Sequence, residues 1–98
     1  MIPIDITGGA VYSENNKLYT VSSNPGTRVY GEKLVKISDQ EYREWNPRKS
    51  KLAAYIKTGG RVFPIKRDSR ILYLGASSGT TASHISDVAA DGKVYCVE

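Results

Sequence analysis

The stretch 71–98 constrains this chain more than any other part of it. Ile71-Leu72-Tyr73-Leu74 is a continuous apolar run bounded by Arg70 and Gly75, the pattern of a parallel strand covered on both faces. Gly75-Ala76-Ser77-Ser78-Gly79 follows as a small-residue loop, and Thr80-Thr81 opens a helix whose Ala82, Ile85, Val88 and Ala89 share one face before Asp91-Gly92 ends it. Lys93-Val94-Tyr95-Cys96-Val97-Glu98 then reads as a second apolar strand. Strand, glycine loop, helix and strand in this order predict one right-handed βαβ unit, the building block of doubly wound α/β sheets. Such a sheet needs further strands, so the expectation is that the chain stops inside its second domain.

Glycine at 75 and 79 lets the backbone turn tightly and lets a ligand approach main-chain amides at the positive end of the helix. Glu98 closes the next strand about 20 residues on, where a carboxylate accepts hydrogen bonds from a nucleoside ribose. The spacing is Gly-x-x-x-Gly rather than the Gly-x-Gly-x-x-Gly of dinucleotide enzymes. A ligand without pyrophosphate needs fewer close amide contacts, which tilts the choice toward S-adenosylmethionine over NAD; an incidental βαβ turn is the alternative.

Upstream, residues 1–45 read as a small antiparallel β domain. Val11-Tyr12-Ser13 and Lys17 to Val21 flank Asn15-Asn16, a pair that tolerates left-handed turn geometry. Arg28 to Ile37 and Glu41 to Trp45 alternate as two more strands joined around Ser38-Asp39-Gln40. Residues 46–69 form a helix and basic connector. Asn46-Pro47 is placed to cap a helix over Arg48 to Lys57 with a Leu52, Tyr55, Ile56 stripe, Gly59-Gly60 stops it, and Pro64 denies the connector a central-strand position. Residues 70–98 are the incomplete βαβ unit.

The formal charge of +4 is unevenly spread, since the segment Arg28 to Arg70 carries +7 and the remainder −3. Such asymmetry suits a phosphate-binding surface, with a solvated basic face as the plainer reading. No segment approaches the roughly 20 apolar residues of a membrane span, and the first residues lack the pattern of a signal peptide, so a soluble intracellular protein is expected. Cys96 is the only cysteine, which excludes an internal disulfide, and its apolar setting predicts a buried small side chain. His84 is the only histidine and is expected to pack or cap rather than catalyse. The tyrosines and Trp45 could stack on bases, but most aromatics in a small sheet are core. Nothing in the pattern separates Lys51 from Lys49 or Lys57.

Several blocks closely resemble archaeal fibrillarins: Tyr30-Gly31-Glu32-Lys33-Leu34, Glu41-Tyr42-Arg43-Glu44-Trp45-Asn46-Pro47, Arg48-Lys49-Ser50-Lys51-Leu52-Ala53-Ala54, and Leu72 through Thr81 followed by Ser83-His84 and Val94-Tyr95-Cys96-Val97-Glu98. The resemblance implies a small β domain followed by the start of a class I S-adenosylmethionine-dependent methyltransferase fold, Rossmann-like in its winding. It implies methylation of ribose 2′-hydroxyls in rRNA and tRNA within the box C/D guide ribonucleoprotein. The implied partners are guide RNA and target RNA, a Nop-family scaffold protein and a kink-turn-binding protein, in an archaeal cytoplasm. Lys51 matches the first lysine of the family's Lys-Asp-Lys-His set, whose other members fall outside this sequence; His84 is not that histidine.

By the same resemblance Gly75, Ala76, Ser77, Gly79, Thr80 and Thr81 form the cofactor loop, and Glu98 is the ribose-binding acid. Arg48, Lys49, Lys57, Lys66 and Arg67 would face RNA. Lys49 stands where a bulky residue or arginine is common, and Cys96 replaces a small residue. Two other functions stay open: a non-catalytic RNA- or scaffold-binding module, and one half of a split methyltransferase.

Overall fold

The computed structural model describes residues 1–74 and 79–97. Five strands form an antiparallel sheet: β1 (Ile2–Pro3), β2 (Val11–Glu14), β3 (Lys17–Val21), β4 (Leu34–Ile37) and β5 (Gln40–Trp45), in the order β1-β2-β3-β5-β4. The β2–β3 hairpin turns at Asn15 and Asn16, with φ of 51° and 65°. Their short polar side chains tolerate that left-handed backbone, and Glu14 pairs with Lys17 across it. Ser38 at φ 55° turns β4 into β5, with Ile37 opposite Gln40.

The strand expected from Arg28 begins only at Leu34. Glu32 folds its carboxylate back onto the amides of Val29 and Tyr30 at 2.9 Å each, and that local bonding takes those amides away from a ladder.

Helix α1 spans Lys51–Lys57, later than the expected start at Arg48. Both Asn46 and Ser50 can cap, and each does something different. Asn46 Oδ1 accepts from the Arg48 amide at 2.9 Å and makes a turn, while Ser50 is the helix cap, its side chain accepting from the Ala53 amide. At the other end the Gly59 amide reaches the Ile56 carbonyl and the Gly60 amide reaches that of Tyr55, which closes the last turn. The buried face is Ala53 and Ile56 with Leu52 packed beside them, so the expected stripe is displaced. Tyr55 instead lies along the surface and donates its hydroxyl to the Val62 carbonyl at 2.8 Å.

Strand β6 (Arg70–Leu74), helix α2 (Thr80–Val88) and strand β7 (Lys93–Val97) form the βαβ unit, with the two strands parallel and Ile71 opposite Val94. The burial expected on both faces of this unit is found on one. Leu72 is 64% exposed and Leu74 70%, because among the described residues no element packs against that face. Cys96 is exposed rather than buried, at the far end of a strand paired on one side only among the described residues.

The sheet and α2 share a core. Val11, Leu18 and Trp45 from the sheet, Ala53 and Ile56 from α1, Phe63 from the connector and Val88 from α2 form one buried cluster. The α2 residues Ala82, Ile85, Val88 and Ala89 are buried as their spacing predicts. No described helix is long and apolar enough to cross a membrane.

Candidate functional site

The start of α1 and the start of α2 meet. Thr81, the second residue of α2, donates its hydroxyl to Ser50 Oγ at 2.7 Å, and Ser50 is 4% exposed. The next residue, Lys51, opens α1 and is exposed. Among the described residues no hydrogen bond or ion pair holds its ammonium. Gly79 precedes α2 at φ 79°, a conformation that L side chains rarely adopt, and a Cβ there would meet nothing within 4 Å. Glycine is therefore required by the turn rather than by crowding. Among the described residues no side chain caps α2, and Thr80, its first residue, is buried. Gly75, Ala76, Ser77 and Glu98 lie outside the described residues.

Beneath this junction runs a buried polar network that the sequence did not announce. Arg43 of β5, 3% exposed, donates from Nε to Glu32 at 2.7 Å and from Nη1 to Asp87 of α2 at 2.9 Å, while Nη2 reaches Ser83 Oγ at 2.8 Å. Asp87 also accepts from Thr20 Oγ1 at 2.7 Å and from the amide and hydroxyl of Ser23. His84 is fully buried, stacked on Trp45 with ring centroids 4.9 Å apart. Its Nδ1 lies 2.8 Å from Thr20 Oγ1 and its Nε2 2.6 Å from the Tyr30 hydroxyl.

Burial, helped by the nearby Arg43 guanidinium, pushes the His84 imidazole down to about 3 against a weaker pull from Glu32. Burial pushes the Tyr30 phenol up to about 12. For Glu32, burial acts upward but is overcome by the amides of Tyr30, Glu32 itself and Val29 and by Arg43, which hold the carboxyl at about 2. A neutral histidine between two hydroxyls fits packing rather than catalysis.

Of the basic residues expected to face RNA, all five are exposed. Arg48 and Lys57 line one hollow with Lys17 and Pro47. The Lys49 ammonium sits 5.6 Å over the Tyr30 ring, beside Lys33 and Asn46. Lys66 and Arg67 border an open cleft of about 570 Å³ between the 5–10 segment, Phe63 and the end of α2, and Arg67 is paired with Asp91. That cleft does not include Ser50, Lys51 or Thr81. Arg43 is withdrawn from the basic surface altogether. No cluster of potential metal ligands occurs among the described residues.

The chain matches the fibrillarin family over residues 8–98. It is 58% identical over 88 residues to the fibrillarin-like rRNA/tRNA 2′-O-methyltransferase of Methanothermobacter thermautotrophicus, covering 90% of this chain and 39% of that relative. The solved structure of Aeropyrum pernix fibrillarin in complex with natively bound S-adenosyl-L-methionine is 46% identical with a TM-score of 0.82, covering 90% of this chain and 40% of that one. A fibrillarin/Nop5p complex structure is 46% identical with a TM-score of 0.76, covering 91% and 39%. The chain thus spans about two-fifths of the length of these relatives.

Proposed function

The chain belongs to the fibrillarin family, and from that premise we propose that it carries part of the site for S-adenosylmethionine-dependent methylation of ribose 2′-hydroxyls in rRNA and tRNA. The observation that supports this reading most is the Thr81–Ser50 hydrogen bond of 2.7 Å, since it joins the start of α1, where Lys51 stands, to the start of α2. Gly79 in its left-handed turn, opening a helix that no described side chain caps, suits a loop whose amides receive a ligand. In this reading the loop at Gly75, Ala76, Ser77, Gly79, Thr80 and Thr81 holds the nucleoside methyl donor and Glu98 its ribose. S-adenosylmethionine supplies, when bound, an electrophilic methyl on a sulfonium.

A ribose hydroxyl is a poor nucleophile and must be held in line while its proton leaves. Lys51, exposed at the mouth of this junction, is suited to orient the hydroxyl and to stabilise charge developing on its oxygen. As a cation it is not the base that takes the proton. Arg48, Lys49, Lys57 and Lys66 present positive charge to RNA phosphates, and Arg67 does so less, being paired with Asp91. The partners in this reading are a guide RNA with its target, a Nop-family scaffold and a kink-turn-binding protein, within an archaeal cytoplasm.

Two measurements test it. Calorimetry on the protein should show binding of S-adenosylmethionine and none of NAD; the reverse result overturns the reading. In the guide particle, Lys51→Ala should lower methyl transfer about 100-fold with little change in donor affinity. Unchanged transfer removes Lys51 from the site.

The open apolar face of Leu72, Leu74 and Tyr95 favours a second reading, in which the active unit includes further polypeptide packed on β6 and β7. Addition of the unmatched part of the Methanothermobacter relative should then restore transfer to an inactive chain, and a lack of restoration counts against it.

A further inference from the structure

Lys51 makes no polar contact of its own among the described residues, so its position depends on the residues before it. Both are tied to α2. Ser50 Oγ accepts the Thr81 hydroxyl at 2.7 Å and the Ala53 amide at 3.4 Å, and the Ser50 carbonyl accepts the Ala54 amide at 3.1 Å. One serine therefore starts α1 and joins it to α2. The Lys49 ammonium rests over the Tyr30 ring, and the Tyr30 hydroxyl lies 2.6 Å from His84 Nε2. Thr81 and His84 are three residues apart and so lie on one face of α2. The Ser50 tie is short and mostly buried, whereas the Lys49 tie runs through an exposed cation and is weaker.

We propose that Ser50 and Thr81 are positioning residues, a hydroxyl clasp that sets where Lys51 stands relative to the first turn of α2. This rests on the reading that Lys51 serves methyl transfer. A hydroxyl has one proton to give, and that of Thr81 goes to Ser50. Its side chain then acts on α1, and any part Thr81 has in holding the methyl donor falls to its backbone amide. Displacement of a charged group by as little as an ångström costs rate steeply, so the clasp bears on turnover more than on donor affinity.

Thr81→Val keeps the shape and removes the donor; Thr81→Ser keeps the donor. In the assembled particle, Thr81→Val should lower kcat about tenfold with the S-adenosylmethionine Kd within about twofold, and Thr81→Ser should restore most of the rate. On the free chain, amide hydrogen exchange at Ala53 and Ala54 should quicken about tenfold in Thr81→Val while β2, β3 and β5 stay unchanged. A rate within twofold of the parent, a Kd weakened tenfold, or exchange that quickens uniformly through the sheet would each overturn the clasp. Lys51→Ala separates the two ideas. If it keeps full transfer, the role of Lys51 fails, and the exchange measurement still decides the clasp by itself.

Discussion

The phenolic oxygen of Tyr30 and Nε2 of His84 lie 2.6 Å apart, and the same tyrosine oxygen lies 2.9 Å from the carbonyl of Glu44. On the other side of the ring, Thr20 Oγ1 is 2.8 Å from Nδ1 and 2.7 Å from Asp87. The carbonyl and the carboxylate only accept. Thr20, Tyr30 and a neutral imidazole each hold one proton, which leaves one of these contacts without a proton.

The proton count predicts the tautomer. The Thr20 hydroxyl donates to the Asp87 carboxylate, a charge-assisted bond stronger than one to a neutral carbonyl. Thr20 Oγ1 can then only accept from the ring, so Nδ1 carries the hydrogen and Nε2 accepts from the Tyr30 hydroxyl. Only the Tyr30–Glu44 contact is then given up. The other tautomer either withdraws the Thr20 proton from Asp87 or leaves Thr20 facing Nδ1 with no proton between them. We expect the Nδ1–H form, read from the imidazole ¹⁵N shifts at neutral pH; a protonated Nε2 contradicts it.

The same network predicts acid sensitivity. His84 is held at about 3 against an ordinary 6.5, so between those values the unfolded chain binds a proton that the folded chain refuses. Stability therefore rises with pH through that window and falls on acidification, by up to about 1.4 kcal/mol per pH unit. Glu32, held at about 2 against an ordinary 4.5, acts in the same direction over its own window. Thermal unfolding should shift downward from pH 6.5 toward pH 3, and His84→Gln should flatten the upper part of the curve. A flat profile between pH 6.5 and 4.5 would be inconsistent with a buried neutral imidazole.

Arg43 stands between two buried carboxylates, Glu32 and Asp87, each with a side chain 1% exposed. Removal of one partner of a buried ion pair costs about 3–5 kcal/mol, because the charge left behind has neither water nor counterion. Arg43→Ala should lose stability by at least that much in denaturant titration, a large share of the total for a domain of this size. Arg43→Lys should recover little, since a single ammonium cannot reach Glu32, Asp87 and Ser83 together. A loss below 1 kcal/mol in the alanine variant would show that water reaches these groups.

These contacts also mark how far the sequence could be read. The Asn15-Asn16 hairpin and the buried face of α2 were legible because local backbone preference and a helical repeat fix them within a few residues. The Arg43–Asp87 pair was not: its partners are 44 residues apart, and each charge alone reads as surface. Asn46 and Ser50 are both good capping residues, and only packing against α2 chooses Ser50. A continuous apolar run such as Ile71 to Leu74 states that a strand is apolar, not how many of its faces are covered. That the start of α1, with Lys51, meets the start of α2 was implied by family resemblance, and no spacing in the chain could have supplied it.

Gly92 offers a steric test of how β7 is entered. The chain leaving α2 crosses the segment before β6, where the Asp91 amide donates to the Arg67 carbonyl at 2.8 Å and the Lys93 amide to the Ser69 carbonyl at 3.1 Å. A Cβ on Gly92 would fall 1.8 Å from that Ser69 oxygen and 2.9 Å from the Asp68 carbonyl carbon. These are backbone atoms, so no rotamer change relieves the clash, and the crossing itself must open. Gly92→Ala should therefore destabilise by about 1–3 kcal/mol or more, with faster amide exchange at Asp91 and Lys93 before any change in the five-stranded sheet. Gly79→Ala makes the contrast, since open space surrounds that site and only its left-handed backbone resists, for a cost nearer 1 kcal/mol. Equal losses in the two variants would mean that the crossing at Ser69 is looser than its hydrogen bonds indicate.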